Sequence, residues 1–225
     1  HYHHFGGRSP INDQNRALLA ALKSELAAHG PNLPVYWGNR NWHPFLADTL
    51  REMADGGVRR AAAFVTSAFS SYSGCRQYRE NIAEAILPLG ERAPQIDKLR
   101  VFFNHPGFVG PMADNVAACL DRFPAGERTS TPVLFTAHSI PESMAAGCNY
   151  LPQLKESCRL VASAAGAGGW ELVFQSRSGP PSQPWLEPDV GDRIRQLHAA
   201  GTRRVVVAPI GFISDHMEVL YDLDT

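Results

Sequence analysis

The chain has 225 residues, 44% hydrophobic and 19% charged, and its 21 Lys and Arg against 22 Asp and Glu leave a formal net charge of -1. That balance excludes a strongly basic nucleic-acid binder and an acidic disordered tail, and the length suits one large domain or two small ones with a sizeable core. No apolar run approaches the roughly 18 residues of a membrane span, and no basic-then-apolar stretch opens the sequence.

In chain order, HYHHFGGRSPIN enters turn chemistry without a leading strand, and its three histidines within four residues cannot all face one ion on a helix or strand. Leu18, Leu19, Leu22 and Leu26 predict a helix with one apolar face, and PVYW (34–37) predicts a short strand. Leu46, Leu50 and Met53 repeat the helical spacing after Pro44, read as a first-turn proline. RRAAAFVT (59–66) is a predicted strand, Tyr78, Ile82, Ile86 and Leu89 mark a helix, and KLRVFF (98–103) is a further strand. The polar stretch PAGERTST (124–131) is the expected joint between two domains, 1–126 and 127–225, with three strands on either side. PVLFTA (132–137), WELVFQS (170–176) and RRVVVAPI (203–210) are predicted strands, and Val190, Ile194 and Leu197 form a helix after Pro188. The closing DHMEVLYDLDT reads as a helix without a Gly or Asn cap, so the chain is expected to be part of a longer one.

The predicted strands are continuously apolar rather than alternating, as parallel strands covered on both faces are. Strand and helix in regular succession predict a doubly wound α/β architecture. Ligands then bind beyond the carboxyl ends of the strands, which directs attention to the segment after each one. No G-x-G-x-x-G phosphate loop is present, which disfavours a dinucleotide.

Four such segments carry candidate chemistry. In FVTSAFSSYSGCRQY (64–78), Ser67, Ser70, Ser71, Tyr72 and Ser73 can hold carboxylates or simply cap the next helix. In LFTAHSIPES (134–143), His138 directly follows a strand, where a neutral imidazole can accept a proton or ligate a metal, or can be structural. VFQSRSGPPSQPWLEPD (173–189) is a rigid loop in which Trp185 either walls a planar ligand or plugs the core. In APIGFISDHMEVLYDLD (208–224), a helix capped by Ser214 or Asp215 would stack Glu218 and Asp222 on one face at i, i+4, as a solvated surface or as a cation path. His216 and Asp215 stand beside these acids as outer-shell groups. Cys75, Cys119, Cys148 and Cys158 contain no C-x-x-C, which argues for free thiols in a reducing cytosol and against a disulfide scaffold or a zinc site.

The stretches FGGRSPIN (5–12), PVYWGNRNWHPF (34–45), FTAHSIP (135–141), QSRSGPPSQPWLEPD (175–189) and PIGFISDHMEVLYDLD (209–224) together resemble the ferrochelatases, most closely the actinobacterial enzymes that metallate coproporphyrin III. The resemblance covers nearly the whole chain, and the family's opening strand and about its last quarter have no counterpart in it. It implies the chelatase fold, two Rossmann-like doubly wound parallel-sheet domains with a porphyrin cleft between them. It implies a metal-site histidine at His138, a metal-site glutamate at Glu218, and a further acidic rung at Asp222. It implies porphyrin-lining positions at Tyr2, Ser9 and Tyr78. Some family members carry a 2Fe-2S cluster on four cysteines, to which Cys119, Cys148 or Cys158 would contribute with further ligands outside this chain; buried structural thiols are the alternative.

The implied chemistry suits these residue types. Inserting Fe2+ into a porphyrin removes two pyrrole protons and bends the macrocycle; an imidazole takes a proton or holds the metal, and carboxylates suit a hard hydrated ion. The implied substrates are coproporphyrin III and ferrous iron, in haem biosynthesis in the cytoplasm. The other readings are a protoporphyrin IX ferrochelatase, a chelatase for another metal, and a non-catalytic porphyrin or haem carrier. A hydrolase is disfavoured, since no G-x-S-x-G elbow occurs.

Overall fold

A computed structural model describes residues 2–225, with the side chains of Tyr2 and His4 outside the described set. It is a mixed α/β protein with parallel sheets, and its chain divides into two compact units. The first contains residues up to Thr66, Cys75–Arg100 and Ser214–Met217; the second contains Ser67–Gly74, Val101–Ile213 and Glu218–Thr225. This division does not fall at the expected 126/127 joint, whose polar segment is tied within the second unit by the Thr131 hydroxyl on the Glu127 carbonyl (2.8 Å) and by the Arg204–Glu127 ion pair.

The first unit opens with helix α1 (Ile11–His29), whose start is held by the Ser9 hydroxyl accepting from the Ile11 N–H at 3.3 Å. None of its residues is buried, and Leu18 and Leu22 are exposed, so the predicted apolar face forms but is only partly covered. Helix α2 (Leu46–Asp55) buries Thr49, Leu50, Met53 and Ala54. Pro44 stands outside it, since Phe45 is the N-cap. The expected strand at 34–37 joins no ladder; the segment is tied instead to α2, where the Thr49 hydroxyl donates to the Trp37 carbonyl at 2.9 Å. Strand β1 (Arg60–Ala63), helix α3 (Gln77–Ile86) and strand β2 (Gln95–Lys98) complete this unit, with β1 and β2 parallel from Arg60↔Gln95 to Ala63↔Lys98. Its small core is Leu50, Met53, Ala54 and Leu89.

The expected strand at 98–103 therefore lies three residues earlier. Pairing stops once the Leu99 N–H donates to the Ala63 carbonyl (2.9 Å), and Phe102 and Phe103 pack into the core of the second unit. That apolar run marks a passage between two cores, not a ladder.

The second unit begins its regular structure with helix α4 (Pro106–Leu120), capped by the His105 side chain accepting from the Gly107 N–H. Strand β3 (Val133–His138), helices α5 (Glu142–Ala146) and α6 (Tyr150–Ala165), strand β4 (Trp170–Gln175), helix α7 (Val190–Ala199), strand β5 (Val206–Ala208) and the short helix α8 (Met217–Leu220) follow. The sheet order is β4-β3-β5, all parallel. Val133, Phe135 and Ala137 of β3 pack with Leu120, Leu154, Cys158 and Val161 of α4 and α6. Leu134 packs in a separate cluster with Val173, Val190 and Leu197, reaching α7. Successive side chains of a strand point to opposite faces, so both faces of β3 are covered, which is why its sequence reads as continuously apolar.

Helix α7 has a strong start, because the Asp189 carboxylate accepts from the N–H groups of Gly191 (2.8 Å) and Asp192 (3.2 Å). Arg193 on α7 grips Glu171 on β4 with two bonds of 2.6 Å, fixing the helix to the sheet.

Candidate functional site

The site residues of the second unit lie where parallel α/β sheets present ligands, at the carboxyl ends of the strands. His138 is the last residue of β3 and stands opposite Gln175, the last residue of β4, in the parallel register. Its Nδ1 lies 2.5 Å from the Ser139 carbonyl oxygen. A carbonyl only accepts, so Nδ1 carries the proton and Nε2 of the neutral ring holds the lone pair. Nε2 is 4.0 Å from Oε1 of Glu218, and the two side chains are 33% and 38% exposed, open enough to meet a ligand.

Tyr150, at the start of α6, donates its hydroxyl to the His138 carbonyl at 3.1 Å. Burial pushes its phenol well above the usual range, and the charge of Glu218 adds to the effect. The hydroxyl therefore stays a donor, and the strand end that carries the imidazole is held from within the core.

Glu218 rides on α8, which spans only Met217–Leu220. The regular helix is shorter than predicted, and helical bonding continues only as turns, the Leu223 N–H donating to Val219 O and the Thr225 N–H to Tyr221 O (3.1 Å each); Asp222 sits in these turns, where its carboxylate accepts from the Ser176 hydroxyl. Gln175 holds the helix from the other side, its Nε2 donating to the Glu218 carbonyl at 2.7 Å. Among the described residues no group of three His, Cys, Asp or Glu side chains converges to hold a metal. The structure brings His138 and Glu218 together and places Asp222 at a separate anchor. Asp215 and the backbone of His216 group with the first unit, where the Asp215 carbonyl accepts from Gln14 Nε2 at 2.8 Å.

The Gly- and Pro-rich loop after β4 folds back on the segment after β3. The Leu186 N–H donates to Ile140 O (3.0 Å), the Glu142 N–H to Pro184 O (3.1 Å), and the Ser139 hydroxyl to Leu186 O (2.8 Å). Trp185 is 8% exposed, and a Cβ on Gly179 would fall 2.4 Å from its indole ring, so the loop's own backbone lies against it. Of the two readings of Trp185, the structure favours the core plug. A cavity of about 370 Å3 in this unit is lined by Ser139, Gln175, Arg177, Leu186 and Gln196 among others, directly beside the residues that flank His138.

The serine-rich segment behaves as an anchored turn. Gln153 on α6 accepts from the Ser70 N–H (2.7 Å) through Oε1 and donates to the Ser70 hydroxyl (3.1 Å) through Nε2. Ser71 Oγ accepts from the Gly74 N–H at 2.9 Å, the capping alternative rather than a carboxylate contact.

Ser9 and Tyr78 belong to the first unit. The Ser9 hydroxyl accepts from the Ile11 N–H just ahead of α1, and the Tyr78 ring lies under the Arg40 guanidinium at 4.7 Å. Tyr2, expected on the same grounds, lies outside the described side chains. The four cysteines are free thiols: Cys158 is fully buried on α6, where burial pushes its thiol up, and Cys148 donates to the Ala145 carbonyl. They do not assemble a cluster site among the described residues.

His138 was legible from its place after a strand. Tyr150, Gln175 and Ser176 carry no such local signal: Tyr150 reaches His138 only through the placement of α6, and Gln175 and Ser176 reach the site only through the β3–β4 register.

An imidazole with a free Nε2 beside a carboxylate, at the carboxyl edge of a parallel α/β sheet, defines a site suited to a proton and a hard cation. The ferrochelatase family model matches residues 1–225, and the chain belongs to that family. It is 60% identical over 225 residues to a ferrochelatase of Rhodopirellula baltica, an alignment covering all of this chain and 64% of the relative. It is 55% identical to a coproporphyrin III ferrochelatase of Streptomyces coelicolor (100% of this chain, 65% of the relative). It is 57% identical to one of Frankia alni (99% and 60%). The chain thus spans less than two thirds of the length of these curated relatives.

Proposed function

We propose that this protein is a coproporphyrin III ferrochelatase that inserts ferrous iron into coproporphyrin III during haem biosynthesis. The observation that supports it most directly is the His138–Glu218 pair, with the proton of His138 committed to the Ser139 carbonyl and Nε2 directed towards the carboxylate. The relatives named as coproporphyrin III ferrochelatases support the choice of porphyrin.

In this reading His138 Nε2 accepts a pyrrole proton as the macrocycle is metallated, and the Glu218 carboxylate meets the incoming Fe2+, a hard ion that prefers oxygen donors. Asp222, whose carboxylate is held by the Ser176 hydroxyl, is in this reading a second acid on the metal's approach, apart from the pair. The porphyrin-lining roles that the resemblance implies for Tyr2, Ser9 and Tyr78, and its two Rossmann-like domains and porphyrin cleft, belong to the same reading. We place the reaction in the cytoplasm, in keeping with four unpaired thiols and with the finding that no described helix is long and apolar enough to cross a membrane.

An anaerobic metallation assay on the full-length protein tests the proposal, offering Fe2+ with coproporphyrin III and, separately, with protoporphyrin IX. Faster loss of the free-porphyrin bands with coproporphyrin III is the expected result. Preference for protoporphyrin IX moves the substrate, and porphyrin binding without turnover of either replaces the enzyme with a carrier.

A further inference from the structure

The carboxyl end of β4 contains two features that stability alone does not explain. Ser176 has φ +60, the one non-glycine residue with positive φ among those described. L-residues with a Cβ are strained there and glycine is not. The serine supplies a hydroxyl that glycine lacks, and that hydroxyl donates to the Asp222 carboxylate. Its neighbour Gln175 is 2% exposed; its Nε2 donates to the Glu218 carbonyl at 2.7 Å, while its Oε1 is buried without a partner. An orphaned buried acceptor is destabilising, and a methionine of similar shape would not carry it.

Both side chains grip the same short stretch. Helix α8 has four residues and is continued only by turns, so long-range side-chain bonds add to its placement. The parallel register sets Gln175 opposite His138, so one sheet edge carries the imidazole and the anchor of the carboxylate that faces it. We propose that Gln175 and Ser176 are positioning residues that hold Glu218 and Asp222 in place for metal capture, Gln175 through the Glu218 backbone and Ser176 through the Asp222 carboxylate. This inference rests on the proposed roles of Glu218 and Asp222. Outer residues that orient metal-binding groups are worth about 10–100-fold in metal affinity or activity.

The test compares Ser176→Gly and Gln175→Met with wild type in the full-length protein. Co2+ binding without porphyrin is followed by calorimetry, KM for Fe2+ and for porphyrin in the metallation assay, and unfolding temperature by heating. Ser176→Gly relieves the backbone, so it should unfold at the wild-type temperature or above while Co2+ affinity falls about 10-fold and KM for Fe2+ rises to match, at unchanged porphyrin KM. Gln175→Met should behave similarly. Wild-type Co2+ affinity in both variants overturns the inference, as does a weakening that merely follows lost thermal stability. A wild-type protein that binds Co2+ without metallating any porphyrin defeats the ferrochelatase reading, while the Co2+ comparison still judges the anchor. No Co2+ binding by the wild type overturns both.

Discussion

The hydroxyl of Tyr150 donates to the carbonyl oxygen of His138 across 3.1 Å, and the charge of Glu218 contributes to the raised pKa of the same phenol. One buried tyrosine thus senses both members of the candidate pair. Removing the hydroxyl in Tyr150→Phe leaves the His138 carbonyl without this partner and should cost about 1–2 kcal/mol of stability. The same variant isolates a pH effect. Unfolded tyrosine ionises near about pH 10, whereas folded Tyr150 holds its proton to higher pH, so its contribution is full below about pH 10 and declines above it. Buried Cys158 acts in the same direction, starting nearer about pH 8.5. Urea unfolding at pH 8 and pH 10.5 should show a loss for the wild type that is smaller in Tyr150→Phe and smaller again with Cys158→Ala added; equal losses in all three exclude these groups as its source.

His138→Ala and Glu218→Gln should separate two roles. Loss of the imidazole should lower the metallation rate by at least about 100-fold while porphyrin binding, read by absorbance titration, stays within a few-fold. Glu218→Gln keeps the shape and removes the charge, so it should mainly raise KM for Fe2+. Retained turnover in the first variant rejects the proton-transfer role, and normal iron saturation in the second rejects the metal role.

Gln153 pins the serine-rich turn with both ends of its amide on Ser70. Gln153→Ala should destabilise the protein by about 1–2 kcal/mol, since the Ser70 N–H loses its acceptor. Amide hydrogen exchange should rise most across 67–74. A uniform rise, or none, would show that this turn is held by other contacts.

At Gly211 an added Cβ would lie 2.7 Å from Cα and Cβ of Ala137, and this residue's N–H donates to the Thr136 carbonyl at 2.9 Å. Backbone has little room to give there, so Gly211→Ala must displace the connection from β5 towards α8. A loss of about 1–3 kcal/mol is expected, with turnover reduced further because this connection leads to Glu218. An alanine variant with wild-type melting and turnover contradicts the close approach.

The readable strands were those with helices on both sides. Leu134 and Val173 face the α7 cluster while Val133 and Phe135 face α4 and α6, so the run stays apolar throughout and its boundaries are visible. PVYW and KLRVFF look alike in composition but differ in destination. The Trp37 carbonyl accepts from the Thr49 hydroxyl on α2, and Phe102 and Phe103 pack against the core of the second unit. Local pattern reports what a segment can bury, not which neighbour accepts it.

The sequence by itself determined the α/β class, the three strands of the second unit, the position of His138 at a strand end, and through its motifs the family. Only the tertiary structure decided that Glu218 stands beside His138 while Asp222 turns to Ser176, and that Gln175 and Tyr150 brace the pair. The reason is physical: spacing along the chain says which acids share a helix face, but not which distant side chain takes each one up. Hydrogen bonds from the strand end opposite His138 reach both acids, across 43 and 46 residues of chain.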